Sequence, residues 1–212
     1  MRRAINELCT LLRWALARSG GAKFGRPKHL GRGLELGPNV QIGKGATIGR
    51  DVKIDGNVVL GEDVTLESGA MLLGSIEIGA STVVGRYTYV GSGPDGHVSI
   101  GRNVFINDFS KLGAMKNLTI EDHCIFAAFI QITDAEHGMD ADQHIQYAPI
   151  RAEPVRIGEG VWLGSHVVVL KGTSIGPRSV VGAHSLVNAD IDGDSVAFGI
   201  PARVRRTRSA YS

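Results

Sequence analysis

The sequence is short of cysteine, of long apolar runs and of net charge, and each shortage excludes a class of protein. Its two cysteines, Cys9 and Cys124, are far apart and not spaced as metal ligands. Both have apolar neighbours, which reads as two buried thiols in a reducing compartment. No apolar run approaches the roughly 20 residues of a membrane span. The basic start "MRRAINELCTLLRWALARSG" holds no signal-peptide core, because Glu7 and Arg13 interrupt it. The expected location is therefore the cytoplasm. A formal net charge of +2 gives no reason to expect a nucleic-acid partner. The positive excess is local, in Arg2 and Arg3 at one end and in Arg203, Arg205, Arg206 and Arg208 at the other. Proline is not raised, at 7 residues, and no collagen-like triplet occurs.

Glycine is the exception, at 29 of 212 residues, about twice the usual share. It belongs to a repeat. Stepping by six from Leu36 meets Ile42, Ile48, Ile54, Leu60, Leu66, Leu72, Ile78, Val84 and Val90. Two residues before each stands a small or β-branched side chain, such as Val40, Ala46, Val52, Val64 or Thr82, except for Leu34 before Leu36. The residue after is glycine at Gly37, Gly43, Gly49, Gly61, Gly79, Gly85 and Gly91. Alternate residues of a short strand face one side, so two of every six fill a core. Glycine is expected to permit the turn to the next face. Three faces close a coil of about eighteen residues, and stacked coils pair their strands at ~4.8 Å. A helix would need a repeat near 3.6, which this region lacks. The period predicts an all-β solenoid of parallel strands over residues 34–199.

The count slips at "SGPDGH" (92–97), resumes at Ile100 and Ile106, and slips again near residues 114–116 before Ile120, Phe126 and Ile132. A long break follows, over 133–154. The rhythm returns at Ile157, Leu163, Val169, Ile175, Val181 and Val187, and a basic tail, "IPARVRRTRSAYS" (200–212), ends the chain. An insertion in a solenoid projects from it and is where function tends to be carried. This one opens with "TDAEHG", placing Asp134 and Glu136 beside His137. Imidazole titrates near neutrality and can take a proton from a hydroxyl. The residues alone leave a catalytic base and a solvated loop histidine both open.

"ITDAEHG" followed by "YAPIRAEPVRIGEGVWLGSHVVVLKGTSIG" resembles the sugar O-acetyltransferases of the hexapeptide-repeat acyltransferase superfamily, the galactoside and maltose acetyltransferases among them. The resemblance runs from about residue 34 to 206. It implies a left-handed parallel β-helix, whose hand the period cannot supply because parallel crossovers are mostly right-handed. It implies acetyl-CoA as co-substrate, a sugar or glycan acceptor such as a surface-polysaccharide or glycolipid precursor, and a homotrimer with its active sites between subunits. On this pattern His137 is the general base. Asn107 and Asp108 in "FINDF", with Asp134 and Glu136, are acceptor-side candidates; a polar corner of the coil is the plain alternative for the first two. Ser165 and Ala183, eighteen residues apart, match positions that contact CoA, with Trp162 beside them. Arg203 and Arg206 in "GIPARVRR" match phosphate-contacting positions, and the arginine fork suits that role. The stretch "GAHSLVNA" departs from the family. His184 replaces a glycine, and Asn188, kept as a cofactor-side candidate, and Ala189 replace Thr and Lys. His184 and His166 are expected to stack. No third ligand accompanies them, and no metal is expected.

Ile5, Leu8, Leu12 and Leu16 share one face of an amphipathic α-helix predicted over 1–20. It reads as a cap on the first coil, or as an interfacial anchor touching a membrane surface through residues 2–18. Three rival functions stand beside O-acylation. A hydratase of the carbonic anhydrase type needs two histidines five residues apart, which the chain lacks. A non-catalytic binding solenoid would not need His137. An N-acyltransferase of an amino sugar would use the same base.

Overall fold

The computed structural model describes residues 23–139 and 144–208. The helix predicted over 1–20, with its cap or membrane role, lies outside the described residues. Short strands wind into coils with three faces. Face one is a ten-stranded sheet built from His29–Leu30, Thr47–Ile48, Thr65–Leu66 and their successors up to Val180–Val181 and Ser195–Gly199. Faces two and three merge into one 14-stranded sheet, because Lys53–Leu60 and Met71–Ile78 run through the edge between them. Pairing between coils is parallel and in register, as in Thr47↔Thr65 and Leu66↔Val84.

The stepped residues fill the interior as the period requires. Ile48, Leu66, Val84, Ile106, Leu163 and Val181 are all fully buried. Where an inward position is polar, its hydrogen goes to a carbonyl at an edge of the coil: Thr82 donates to Gly101 and Ser179 to Asp192, each at 2.8 Å. Among the described residues no buried side-chain nitrogen or oxygen lacks a partner. Cys124 is fully buried, and burial pushes its thiol up to about 11. In a Cys9→Ser background, Cys124 is therefore expected to resist a thiol reagent at pH 8 until the chain unfolds. Prompt labelling of the native protein in a colorimetric thiol assay would contradict this burial.

Two expectations need correction. The solenoid begins before residue 34. Lys23–Phe24 pairs with Gln41–Ile42, and His29–Leu30 with Thr47–Ile48. The first coil is hard to read because Lys28 stands where a small inward residue is expected, and it pairs outward with Asp63 at 2.8 Å. The basic tail is also not free throughout. Ala202–Thr207 folds back antiparallel on Ser195–Gly199 after a cis Ile200–Pro201 bond, covering the edge of that strand at the end of face one.

The repeat's glycines serve a different purpose from the one predicted. A Cβ at Gly43 would lie 2.6 Å from the Gly61 carbonyl carbon, and one at Gly49 2.4 Å from the Ser68 amide. They are kept small by the coil above. The left-handed turn conformation falls two residues later, at Gly45 and Asp51.

The three edges differ in chemistry. The third edge, which leads back to face one, is laced with ion pairs such as Lys44–Glu62 at 3.3 Å and Arg102–Asp122 at 3.1 Å. The other two carry most of the candidate residues, and face one carries Trp162, Arg203 and Arg206.

Candidate active site

The second edge, between faces two and three, holds the insertion. The chain leaves the coil at Thr133, level with Gly113, and rejoins it at Val155, level with Leu118. Between them Ala135–His137 and Ile150–Ala152 form an antiparallel hairpin, and a single 3₁₀ turn spans Ile145–Tyr147. Successive strand residues face opposite ways, so Glu136 and His137 point apart. Glu136 meets Lys171 at 3.4 Å, and Lys171 also bonds Glu153 at the far root of the insertion. Lys171 holds the Glu153 carboxyl below its ordinary range, and Glu153 raises the lysine in return. Glu136 thus struts the hairpin rather than facing an acceptor.

Asp134 also departs from its predicted place. It is fully buried, and its two oxygens accept the Met115 amide at 2.6 Å and the Lys116 amide at 2.7 Å. Both oxygens are occupied, so Asp134 is a positioning residue that pins the insertion to the coil below. His137 is exposed on the hairpin and has no side-chain hydrogen bond among the described residues. Neither neighbouring carboxylate orients its ring.

The first edge, between faces one and two, gathers the candidates on either side of the insertion level. Asn107 and Asp108, then Ala127 and Ala128, Gly164 and Ser165, Gly182 and Ala183 occupy equivalent places in successive coils. The backbone links them: Phe129 donates to the Asp108 carbonyl at 3.0 Å, His166 to Ala128 at 3.2 Å and His184 to Ser165 at 2.9 Å. The predicted superposition of Ser165 and Ala183 is therefore present. One oxygen of Asp108 accepts the Arg86 amide at 2.7 Å, and the Asn107 side chain accepts the Asp108 amide at 2.8 Å. Both are engaged in shaping this edge, as a polar corner would be.

An aromatic column on this edge was not anticipated. Tyr87, Phe109, Phe129, His166 and His184 stack with ring centroids 5.7, 5.2, 4.7 and 4.6 Å apart. Only the last of these contacts, between the two histidines, was expected. Every member sits at a positive φ, between 53° and 63°, where glycine or asparagine is the usual occupant. Each follows the buried residue of face one by three positions, a signal the sequence carries once the coils are aligned.

Trp162 is half exposed on face one, in line with Ile125 below and Val180 above. The column continues through Val196 to Arg206. A register shift at Val196/Ala197 places both Arg203, opposite Phe198, and Arg206, opposite Val196, on the outward side. Without that bulge a spacing of three would point them to opposite faces. Asn188 does not join this group; it is exposed on the second edge, with the insertion. A strand of face two separates His137 from Ser165 and Ala183 within one chain. Among the described residues no group of three or more His, Cys, Asp or Glu is placed to hold a metal ion. None of their helices is long and apolar enough to cross a membrane.

The chain is thus a parallel solenoid of hexapeptide coils, with a histidine-bearing insertion on one edge and superposed backbone positions below terminal arginines on another. Residues 154–189 match the bacterial transferase hexapeptide model of six repeats. The chain is 32% identical over 139 residues to the "Putative lipopolysaccharide biosynthesis O-acetyl transferase WbbJ" of Escherichia coli K12, covering 62% of this chain and 71% of that one. It is 34% identical over 110 residues to the galactoside O-acetyltransferase of the same organism, and spans 54% of that enzyme's length. A hexapeptide-repeat acetyltransferase of Vibrio cholerae O1 biovar eltor, solved in complex with acetyl coenzyme A, superposes with a TM-score of 0.55 at 28% identity, over 67% of this chain and 72% of that one. The protein belongs to the hexapeptide-repeat acyltransferase family, and its coil is the left-handed parallel β-helix.

Proposed function

We propose that the protein is an acetyl-CoA-dependent O-acetyltransferase acting on a sugar hydroxyl of a surface polysaccharide or glycolipid precursor. The observation that carries this reading is the separation of chemistry between two edges of one solenoid. His137 stands exposed on the second edge, while the superposed Ser165 and Ala183 and the outward arginines line the first edge and face one. A site needing both is completed by a second copy, as in a closed homotrimer.

In that arrangement the His137 imidazole takes the proton of the acceptor hydroxyl, and the oxygen attacks the thioester carbonyl. The tetrahedral intermediate collapses to the ester, and the CoA thiolate leaves and is protonated. No acyl-enzyme forms, so no nucleophilic side chain is required. Ser165 and Ala183 flank the pantetheine arm with Trp162 beside it. Arg203 and Arg206 offer two forks to the phosphates. Asn188, on the insertion edge, meets the cofactor held by a neighbouring subunit. Asn107 and Asp108 shape the acceptor side. The names of the relatives, lipopolysaccharide biosynthesis and galactoside O-acetylation, support a glycan acceptor.

The test is complementation between subunits. His137→Ala and Ala183→Phe chains are each expected to be inactive alone in acceptor-dependent CoA release. Unfolded and refolded together in equal amounts, they should recover up to about a quarter of wild-type activity, the share of sites that draw both intact halves from different chains under random mixing. A mixed trimer with no recovered activity would place the whole site within one chain and refute the shared arrangement.

A further inference from the structure

The second edge carries a row of outward polar side chains that the proposed transfer does not use. Asn57 is level with Ser75, and His97 with Asn117, in the strand register. The Ser75 hydroxyl lies 2.9 Å from Nδ1 of His97, joining the two halves into one row over four successive coils. The row ends directly beneath the insertion, because Leu118, next to Asn117, pairs with Val155 where the insertion rejoins the coil. Asn57 and Asn117 are exposed, and Ser75 and His97 are half-buried.

None of the four is a carboxylate, a lysine or an arginine. Asparagines stacked in register bond to one another up a sheet, but here serine and histidine stand between the two asparagines. Neither amide has a hydrogen-bond partner among the described residues, so each keeps two donors and an acceptor for something outside the chain. The Ser75–His97 bond engages one ring nitrogen and leaves Nε2 of His97 for an outside partner. A row of neutral donors and acceptors suits a ligand rich in hydroxyls. A phosphate or carboxylate chain would call for arginine or lysine instead.

We infer that this row is an extended acceptor subsite for a neutral oligosaccharide laid along the solenoid axis, its reacting sugar on the Asn117 rung directly beneath the insertion and its further sugars on the three coils below. Coils repeat at ~4.8 Å, close to the length an extended glycan gains per pyranose ring, so each sugar meets one rung. Asn117 is the rung nearest the insertion and Asn57 the furthest. This inference rests on the proposed sugar acceptor.

The experiment reads binding apart from turnover. Neutral gluco-, galacto- and manno-oligosaccharides, from mono- to hexasaccharide, are titrated calorimetrically into His137→Ala protein and into the same protein carrying Asn57→Ala or Asn117→Ala. Affinity is expected to rise with length up to the tetrasaccharide and then level off. Asn57→Ala should weaken tetra- to hexasaccharides about fivefold, the worth of one hydrogen bond, and leave monosaccharides unchanged. Asn117→Ala should weaken every length. Equal affinity for mono- and hexasaccharides, loss at all lengths in Asn57→Ala, or no binding by any member of the panel would each overturn the subsite. Should the assignment of His137 fail instead, CoA release would persist in His137→Ala while the length dependence of binding remained, so the two failures are distinguishable.

Discussion

Replacing His137 with alanine is expected to lower kcat for acetyl transfer by about a thousandfold, within the range for losing a positioned general base. The KM for acetyl-CoA should change little, because Ser165, Ala183, Trp162, Arg203 and Arg206 lie away from the second edge, and of the cofactor-side candidates Asn188 alone shares it with His137. Stability should also hold. His137 is exposed and its side chain has no hydrogen bond among the described residues, and exposed substitutions away from special features stay within about 0.5 kcal/mol. The measurement is steady-state CoA release with a saturating acceptor, beside a thermal melt and a sedimentation profile of the same preparation. A variant that keeps its sedimentation profile and its wild-type kcat would remove His137 from the chemistry. One that loses kcat together with its assembly would make it a structural residue.

The second large effect falls on stability. Asp134→Ala leaves the Met115 and Lys116 amides without the carboxylate that accepts them at 2.6 and 2.7 Å in a fully buried place. Hydrogen bonds to a charged group are each worth about 1.5–3 kcal/mol, so a loss of roughly 3–5 kcal/mol is expected. Asp134→Asn keeps one oxygen and should lose about half as much. Denaturant unfolding reads this as a lower midpoint at unchanged slope. Activity should fall as well, because Asp134 sits at the root of the hairpin that carries His137. A midpoint within experimental error of wild type would show that those amides find water or another acceptor at no cost.

The core of the coil was legible because strand geometry leaves little choice. Ile48, Leu66 and Val84 recur every eighteen residues, pair coil on coil, and are buried as their spacing requires. The glycines were legible as repeat members but not in their cause. Crowding by the next coil, as at Gly43 against Gly61, is invisible until coils are stacked. The first coil escaped detection because Lys28 breaks the inward pattern, and the returning strand Ala202–Thr207 because its arginines resemble a solvated tail.

At the candidate site, residue type suggested chemistry and geometry then sorted it. Asp134 and Glu136 flank His137 in sequence, yet one is buried against two amides and the other faces Lys171. Adjacent residues of an extended chain point apart, so proximity in sequence is a poor guide to a shared site. The column from Tyr87 to His184 shows the reverse, with residues distant in sequence stacked ring on ring.

By itself, then, the sequence determined the class of fold and the level of the insertion, because a period of six with two inward positions admits one kind of packed coil. It also placed Ser165 over Ala183, since eighteen residues make one full coil. Only the tertiary structure decided which edge each candidate occupies, that Asp134 is spent on backbone amides, and that a bulge turns Arg203 and Arg206 to one side. Those outcomes depend on which way a side chain points and on what the neighbouring coil presents to it. Loop slips, insertions and bulges reset that direction without altering the count of buried residues.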